Sequence, residues 1–311
     1  MHNIKQRECD KLNLLKECDE QFRNELHKKI ITDYFFVKVH NIGYSVLNRP
    51  IECYTIGNKP QQILLCGGIH GSEWITCSLL YKLIINICNS IINHKTLAQE
   101  KLWEYFKNIS LAVIPCLNPD GVEISIHGSS SAKWLTNQVE YISQGDTIHW
   151  QSNANGVDLN HNFNADWYNL KKKEIKLGII KPATTRYGGE APENQPETIA
   201  ITEYCRNNQI TKAIAFHSQG EEIYWNFGKH TPIESEKIAT AMSLLSGYII
   251  SQPDSIATGG GLKDWLIDTL KIPAFTVEIG KGKNPLPIKD LPNIYAKTEK
   301  MLLHFIKNSR L

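Results

Sequence analysis

His70-Gly71-Ser72-Glu73 follows directly on the apolar run ILLCGGI. An imidazole and a carboxylate three residues apart converge on one ion when the segment turns into a helix. Zinc takes such nitrogen and oxygen donors tetrahedrally, and a catalytic site uses three protein ligands plus water. Read alone, the pair fits a plain helix start equally, with Glu73 complementing the dipole. His217 ends the apolar run AIAFHS. That position points an imidazole out of the carboxyl end of a strand, where open α/β sheets bind ligands. Read alone, it also fits a hydrogen-bonded core histidine. Glu278 sits in AFTVEIG, behind apolar and β-branched residues. A carboxylate is costly to bury there unless paired, and burial raises its pKa toward that of a general base. A salt-bridged structural glutamate is the plainer alternative. Taken together, His70, Glu73 and His217 make one complete three-ligand set, and Glu278 adds an acid on another strand end.

The elements that must position these residues are legible as alternating short apolar strands and helical segments, which argues for a largely parallel α/β sheet. ILLCGGIHG, ISLAVIPCLNPDG, AIAFHSQG and AFTVEIGKG read as buried strands that stop at polar and glycine residues. EWITCSLLYKLIINICNSII reads as a helix, and YSVLNRPIECYTIG as a hairpin about Asn48-Arg49. Leu12, Leu15, Cys18, Phe22 and Leu26 recur at a helical period, so residues 1–33 predict one amphipathic helix. Pro196-Glu197-Thr198 reads as a helix start with proline in its first turn. Residues 122–166 have little periodicity and read as a long loop. The expected division is a helical extension, 1–41, and one catalytic domain, 42–311.

The 311 residues are 41% hydrophobic and 21% charged, which excludes a disordered chain. Thirty-four basic and 32 acidic residues leave a net charge of +2, too balanced for phosphate attraction to drive nucleic-acid binding. The most apolar stretch, Leu79–Cys88, is broken by Lys82 and Asn86, so no membrane span is expected. No apolar targeting segment is visible at the start. Eight scattered cysteines without a CxxC pair read as buried free thiols in a reducing compartment, and the expected location is cytoplasmic.

HGSEW, NPDG (118–121), GVDLN (156–160), HSQGEEIYW (217–225), TGGGLKDW (258–265) and FTVEIGKG (275–282) occur in this order. In these the chain resembles the zinc carboxypeptidases, the carboxypeptidase A-like metallopeptidases, from about Ile42 to the C-terminus. The resemblance implies a single-domain α/β/α sandwich on a central mixed, mostly parallel sheet. It implies one Zn²⁺ per chain on His70, Glu73 and His217, with Glu278 as the general base that takes a proton from the bound water and passes it to the leaving amine. Asp158 would orient a ligating histidine.

The chain departs from the family where a substrate's terminal carboxylate is clamped. GVDLN keeps Asn160, but the next residue is His161 where the family has arginine. An arginine fork binds a carboxylate bidentately, and a histidine cannot. The tyrosine upstream of the Asp-Trp pair is replaced near Ile256. The arginine expected after NPDG is missing, with Lys133 near that spacing. Lys263, beside Asp264-Trp265, falls where the family lines the pocket for the leaving side of the bond. HSQGEEIYW, TGGGLKDW and VEIGKGKNPLP together resemble the bacterial γ-D-glutamyl-L-diamino acid endopeptidase branch. The resemblance implies cleavage of the γ-D-glutamyl to meso-diaminopimelate bond in peptidoglycan-derived peptides. Lys263 and His161 would meet carboxylates, and Glu222 or Glu221 an amine. A general metallocarboxypeptidase, a zinc-dependent acyl-amino-acid deacylase and a non-catalytic binding module are the alternatives.

Overall fold

The computed structural model describes residues 13–307. Eight strands form one sheet: β1 (Lys38–Tyr44), β2 (Pro50–Ile56), β3 (Gln61–Cys66), β4 (Ser110–Ile114), β5 (Gln209–Ser218), β6 (Glu222–Tyr224), β7 (Ile249–Ile250) and β8 (Ala274–Ile279). Their order is β1-β2-β4-β3-β5-β8-β6-β7. The central β4-β3-β5-β8 block is parallel, β2 and β6 join it antiparallel, and β1 and β7 form the edges.

The central strands are apolar on both faces because both faces are covered. Ile63, Leu65, Leu111, Val113, Ile214, Phe216, Phe275 and Val277 enter one hydrophobic cluster. Their alternate neighbours Leu64, Cys66, Ala112, Ile114, Ala213, Ala215 and Ala274 enter the other. The described residues also form ten α-helices: α1 (Glu20–Asp33), α2 (Ile75–Ile92), α3 (Leu102–Tyr105), α4 (Pro119–His127), α5 (Thr136–Ser143), α6 (Trp167–Lys176), α7 (Pro196–Asn207), α8 (Ser235–Ser246), α9 (Leu262–Trp265) and α10 (Leu291–Lys307). Helices α1, α2, α8 and α10 supply the first cluster, α7 and α9 the second. This is the expected α/β sandwich with a mixed, mostly parallel sheet.

Segment Gly71–Ile92 is long and apolar enough to cross a bilayer, but 72% of its most apolar window is buried inside the protein. Its composition is that of a core helix packed on the sheet. The predicted N-terminal helix is found only from Glu20 onward, as α1, so Leu15 and Cys18 precede it; the Asp19 side chain caps it by accepting from Phe22 N. Phe22, Leu26 and Ile30 belong to the main core, so α1 is packed onto the domain. Leu12 lies outside the described residues.

Two expectations need correction. The hairpin exists, but Tyr44 ends β1 instead of starting it. Ser45–Arg49 form the turn, closed by Ser45 N donating to Arg49 O, with Asn48 at φ 62°. Residues 122–166 are largely structured, with α4, α5 and 3₁₀ turns at Ser129–Leu135 and Leu159–His161. Periodicity missed this because each piece is about two turns long or less. Their order comes from a small separate core of Leu47, Ile124, Ala132, Val139, Trp150 and Ala154.

Candidate active site

The parallel strands all deliver their carboxyl ends to one place. Chain leaving β3 runs through Gly67 and Gly68. Gly68 adopts φ +57°, and a side chain there would meet Cys77 Sγ at 2.6 Å and the Cys116 backbone at 3.0 Å. Gly68 N donates to Thr76 Oγ1, which in turn donates to Glu73 O. These bonds fix the single 3₁₀ turn Gly71–Glu73 ahead of α2. The turn, not a longer helix, brings the two side chains of the His-x-x-Glu pair to one point.

His217 arrives from the neighbouring strand end. His70 Nδ1, Glu73 and His217 Nδ1 converge, with all donor atoms within 4.8 Å of one another. The two Nδ1 atoms are 3.2 Å apart, His70 Nδ1 is 3.0 Å from Glu73 Oε1, and His217 Nδ1 is 3.0 Å from Glu73 Oε2. Donors at about 2.0–2.1 Å around a tetrahedral zinc stand roughly 3.3 Å apart. The spacing and the two-imidazole, one-carboxylate set therefore fit that ion. Ser218 N and Asn284 Nδ2 each donate to a Glu73 oxygen, at 3.2 and 3.3 Å. Burial disfavours the Glu73 carboxylate, but His70 and His217 outweigh it and hold it down at about 2.

Asp158 sits behind His70. Its Oδ1 is 3.1 Å from His70 Nε2 and also accepts from Asn160 N; its Oδ2 accepts from Arg186 N at 2.7 Å. Burial raises the Asp158 pKa, but His70 and His161 pull it well below the usual carboxylate range. Burial likewise opposes charge on His70, yet Glu73 and Asp158 prevail and raise it well above the ordinary imidazole range. Both partners thus favour Asp158 as an anion that holds the Nε2–H of His70, leaving Nδ1 for the ligand cluster.

Glu278 lies beside His217 in the β5–β8 register and opposite Glu222 in the β8–β6 register. Its pKa is raised well above the carboxylate norm, chiefly by burial, then by Glu73 and Glu222, against a lowering by His70. Glu222 Oε2 accepts from Tyr224 OH at 2.5 Å. Glu221, at φ 57°, pairs with Lys297 and Lys281 instead.

The other sequence candidates are placed as follows. Asn160 Oδ1 accepts from Leu262 N, which ties the GVDLN box to α9. His161 is buried with Nδ1 2.9 Å from Glu174 Oε1. Lys263 is buried, with Nζ donating to Asn226 O and lying 2.5 Å from Asp264 Oδ1. Lys133, at φ 53°, donates its Nζ to Leu47 O in the hairpin turn, a bond to the scaffold and not to the ligand cluster. The NPDG turn is structural too. Asn118 caps α4 and Asp120 accepts from Ser45, Leu47 N and Arg49.

Three contributors escaped sequence reasoning. Asn284 lies in a motif noted as a whole, GKGKNPLP, and holds both Glu73 and Ser218. Glu174 is fully buried and gathers His161, Lys171 and Gly188 N; its isolated position on an otherwise polar helix gave no signal. Arg186 reaches Asp158 through its backbone, which no side-chain motif encodes.

The zinc carboxypeptidase family model matches residues 25–301. A γ-D-glutamyl-L-diamino acid endopeptidase 1 from Lysinibacillus sphaericus is 36% identical over 271 residues, covering 86% of this chain and 67% of that protein. An uncharacterized protein, YqgT, from Bacillus subtilis is 33% identical over 279 residues, covering 88% and 73%. Bovine thrombin-activatable fibrinolysis inhibitor, solved with tick carboxypeptidase inhibitor, superposes with a TM-score of 0.71 at 18% identity, over 95% of this chain and 98% of that one. Carboxypeptidase A from Helicoverpa armigera gives 0.69 at 17% identity, over 93% and 73%. With the ligand cluster, the acid beside it and a family match over most of its length, the chain belongs to the zinc carboxypeptidases, a family of zinc metallopeptidases.

Proposed function

We propose that this metallopeptidase hydrolyses the γ-D-glutamyl to meso-diaminopimelate bond of peptidoglycan-derived peptides, with one zinc per chain held by His70 Nδ1, His217 Nδ1 and Glu73. The observation that carries the reading is a complete hydrolytic set beside a remodelled carboxylate clamp. His161 stands where the family's arginine fork is expected, and Glu174 occupies its Nδ1, so it has one nitrogen to offer and cannot bind a terminal carboxylate bidentately. The name of the Lysinibacillus relative, at 36% identity, is that of an enzyme for γ-D-glutamyl-L-diamino acid bonds, the class to which this bond belongs.

Zinc in this cluster supplies Lewis-acid polarisation of the scissile carbonyl and acidifies a water. Glu278 takes a proton at its carboxylate and returns it to the leaving amine. The group must hold the proton between the two transfers, which a carboxylate at this strand end can do. Asp158 keeps His70 Nδ1 facing the cluster, while Ser218 N and Asn284 orient the Glu73 carboxylate. Glu222, across the register from Glu278, gives a negative site for the substrate's amine. The charge of Lys263 is compensated by Asp264 and anchored to Asn226 O, so it shapes the pocket floor as part of an ion pair. The seven free cysteines among the described residues, all buried, support action in a reducing compartment on wall-turnover fragments.

The test is kcat/KM for L-Ala-γ-D-Glu-meso-diaminopimelate against its α-linked isomer. A preference for the γ-linked peptide is expected. A preference for α-linked C-terminal residues would assign the chain to ordinary carboxypeptidase action, and hydrolysis of N-acyl amino acids alone would make it a deacylase.

A further inference from the structure

We infer that Arg186 presents its guanidinium to a carboxylate of the bound substrate and so sets specificity for an acidic group beside the scissile bond. The inference rests on the function proposed above. Three observations support it. First, Arg186 is tied to the ligand cluster by backbone. Its N–H donates to Asp158 Oδ2 at 2.7 Å, and the other oxygen of that carboxylate is 3.1 Å from His70 Nε2. The whole 184–187 segment is laid against this side of the site. Thr184 O accepts from Gln151 N and Ser152 N, Gln151 O accepts from Gly71 N, and Asp158 N donates to Tyr187 O.

Second, its backbone is left-handed, at φ 64°. Glycine adopts that conformation freely, and a residue with a Cβ does so only under strain held by its surroundings. Here the Asp158 bond holds it. A glycine would serve the backbone better, so the side chain is what the position supplies. Third, Arg186 is exposed, and its side chain pairs with no carboxylate among the described residues. The cations that the sequence put forward for an acidic substrate are engaged already: Lys263 by Asp264, His161 by Glu174, Lys133 by Leu47 O. Arg186 alone of these four keeps a free planar fork, the geometry that matches a carboxylate.

The zinc-loaded Glu278→Gln protein, which binds without turnover, is titrated by calorimetry with L-Ala-γ-D-Glu-meso-diaminopimelate and with the same peptide amidated on its diaminopimelate carboxylates. Arg186 should favour the acid form by roughly 10- to 100-fold. Arg186→Ala should erase that difference, and Arg186→Lys should restore part of it. Arg186→Gly, which relieves the backbone strain, should bind as the alanine variant does. Equal weakening of acid and amide by Arg186→Ala, an unchanged difference, or no measurable binding of the acid form would overturn the inference. Turnover of an α-linked peptide instead of the γ-linked one would sink the proposed function alone, and the acid–amide comparison on that peptide would still decide Arg186.

Discussion

Asp158→Asn tests whether the carboxylate behind His70 governs the metal site. Four groups approach Asp158: His70 Nε2, Asn160 N, Arg186 N and Thr185 Oγ1. An asparagine can accept at one oxygen only. Its amide nitrogen must then face either the His70 and Asn160 donors or the Arg186 and Thr185 donors. If it faces Arg186, a partly buried backbone N–H loses its partner, at about 1 kcal/mol of folding stability. If it faces His70, the imidazole loses the acceptor that fixes its tautomer. In either orientation the anion that polarises His70 is gone. Loss of such an outer partner typically weakens a metal site by about 10–100-fold, or roughly 1.4–2.7 kcal/mol. The assay is zinc competition against a chromophoric chelator at neutral pH, with thermal denaturation of the apo-protein alongside. Exposed Asp146, which pairs with His149 three residues on, should tolerate the same change without effect. Zinc affinity unchanged in Asp158→Asn would refute the reasoning, because the tautomer of His70 would then be set elsewhere.

The remaining predictions concern the scaffold, the entry turn and the substrate. Glu197 is fully buried beside Asp120, and burial first, then Asp120, pushes its carboxyl up to about 7. Its folded pKa exceeds its unfolded value near 4.5, so the folded state binds the extra proton and stability falls as pH rises from about 4.5 to 7. Over that window Glu197→Gln should flatten the pH dependence by about 3 kcal/mol in urea denaturation; an unaltered slope would assign it to other groups. In Gly71→Ala the new Cβ would lie 2.2 Å from Gly121 O and 2.6 Å from Trp150 O. The turn must shift, lowering stability by about 1–3 kcal/mol and zinc affinity with it; a normal melting temperature and normal zinc binding would contradict the packing argument. Glu222→Gln should cost about tenfold in kcat/KM for a substrate with a free amine on the leaving residue and nothing for the N-acetylated form. Equal loss on both would show that Glu222 acts through Tyr224 or Glu278 and not on the amine.

What the sequence made legible follows from how local each signal was. The parallel strands were readable because burial on both faces leaves them apolar end to end, and the ligands were readable because each interrupts or ends such a run. His70, Glu73, His217 and Glu278 lie on three strand ends that the topology brings together, so reading each in place was enough. The hairpin shifted because its turn is stabilised from outside, by Asp120 accepting from Ser45, Leu47 N and Arg49, and no local turn pair announces that. The 122–166 region looked aperiodic because its short pieces are ordered by a core they share with Leu47, which is distant in sequence. Lys133 and Lys263 show the limit of charge reasoning. Spacing placed them near a substrate, but only the fold reveals that Leu47 O and Asp264 already claim them. Arg186 lay beyond reach because its link to the site runs through a main-chain N–H.

The account stands or falls on which bond Glu278 and the ligand cluster break. Zinc-loaded protein is incubated with L-Ala-γ-D-Glu-meso-diaminopimelate in oxygen-18 water and the products are identified by mass spectrometry. The account predicts L-Ala-D-Glu carrying one heavy oxygen in its new γ-carboxylate, unlabelled free diaminopimelate, and no product from a Glu278→Gln protein that still binds one zinc. Release of alanine instead, or product formation undiminished in Glu278→Gln, would contradict it.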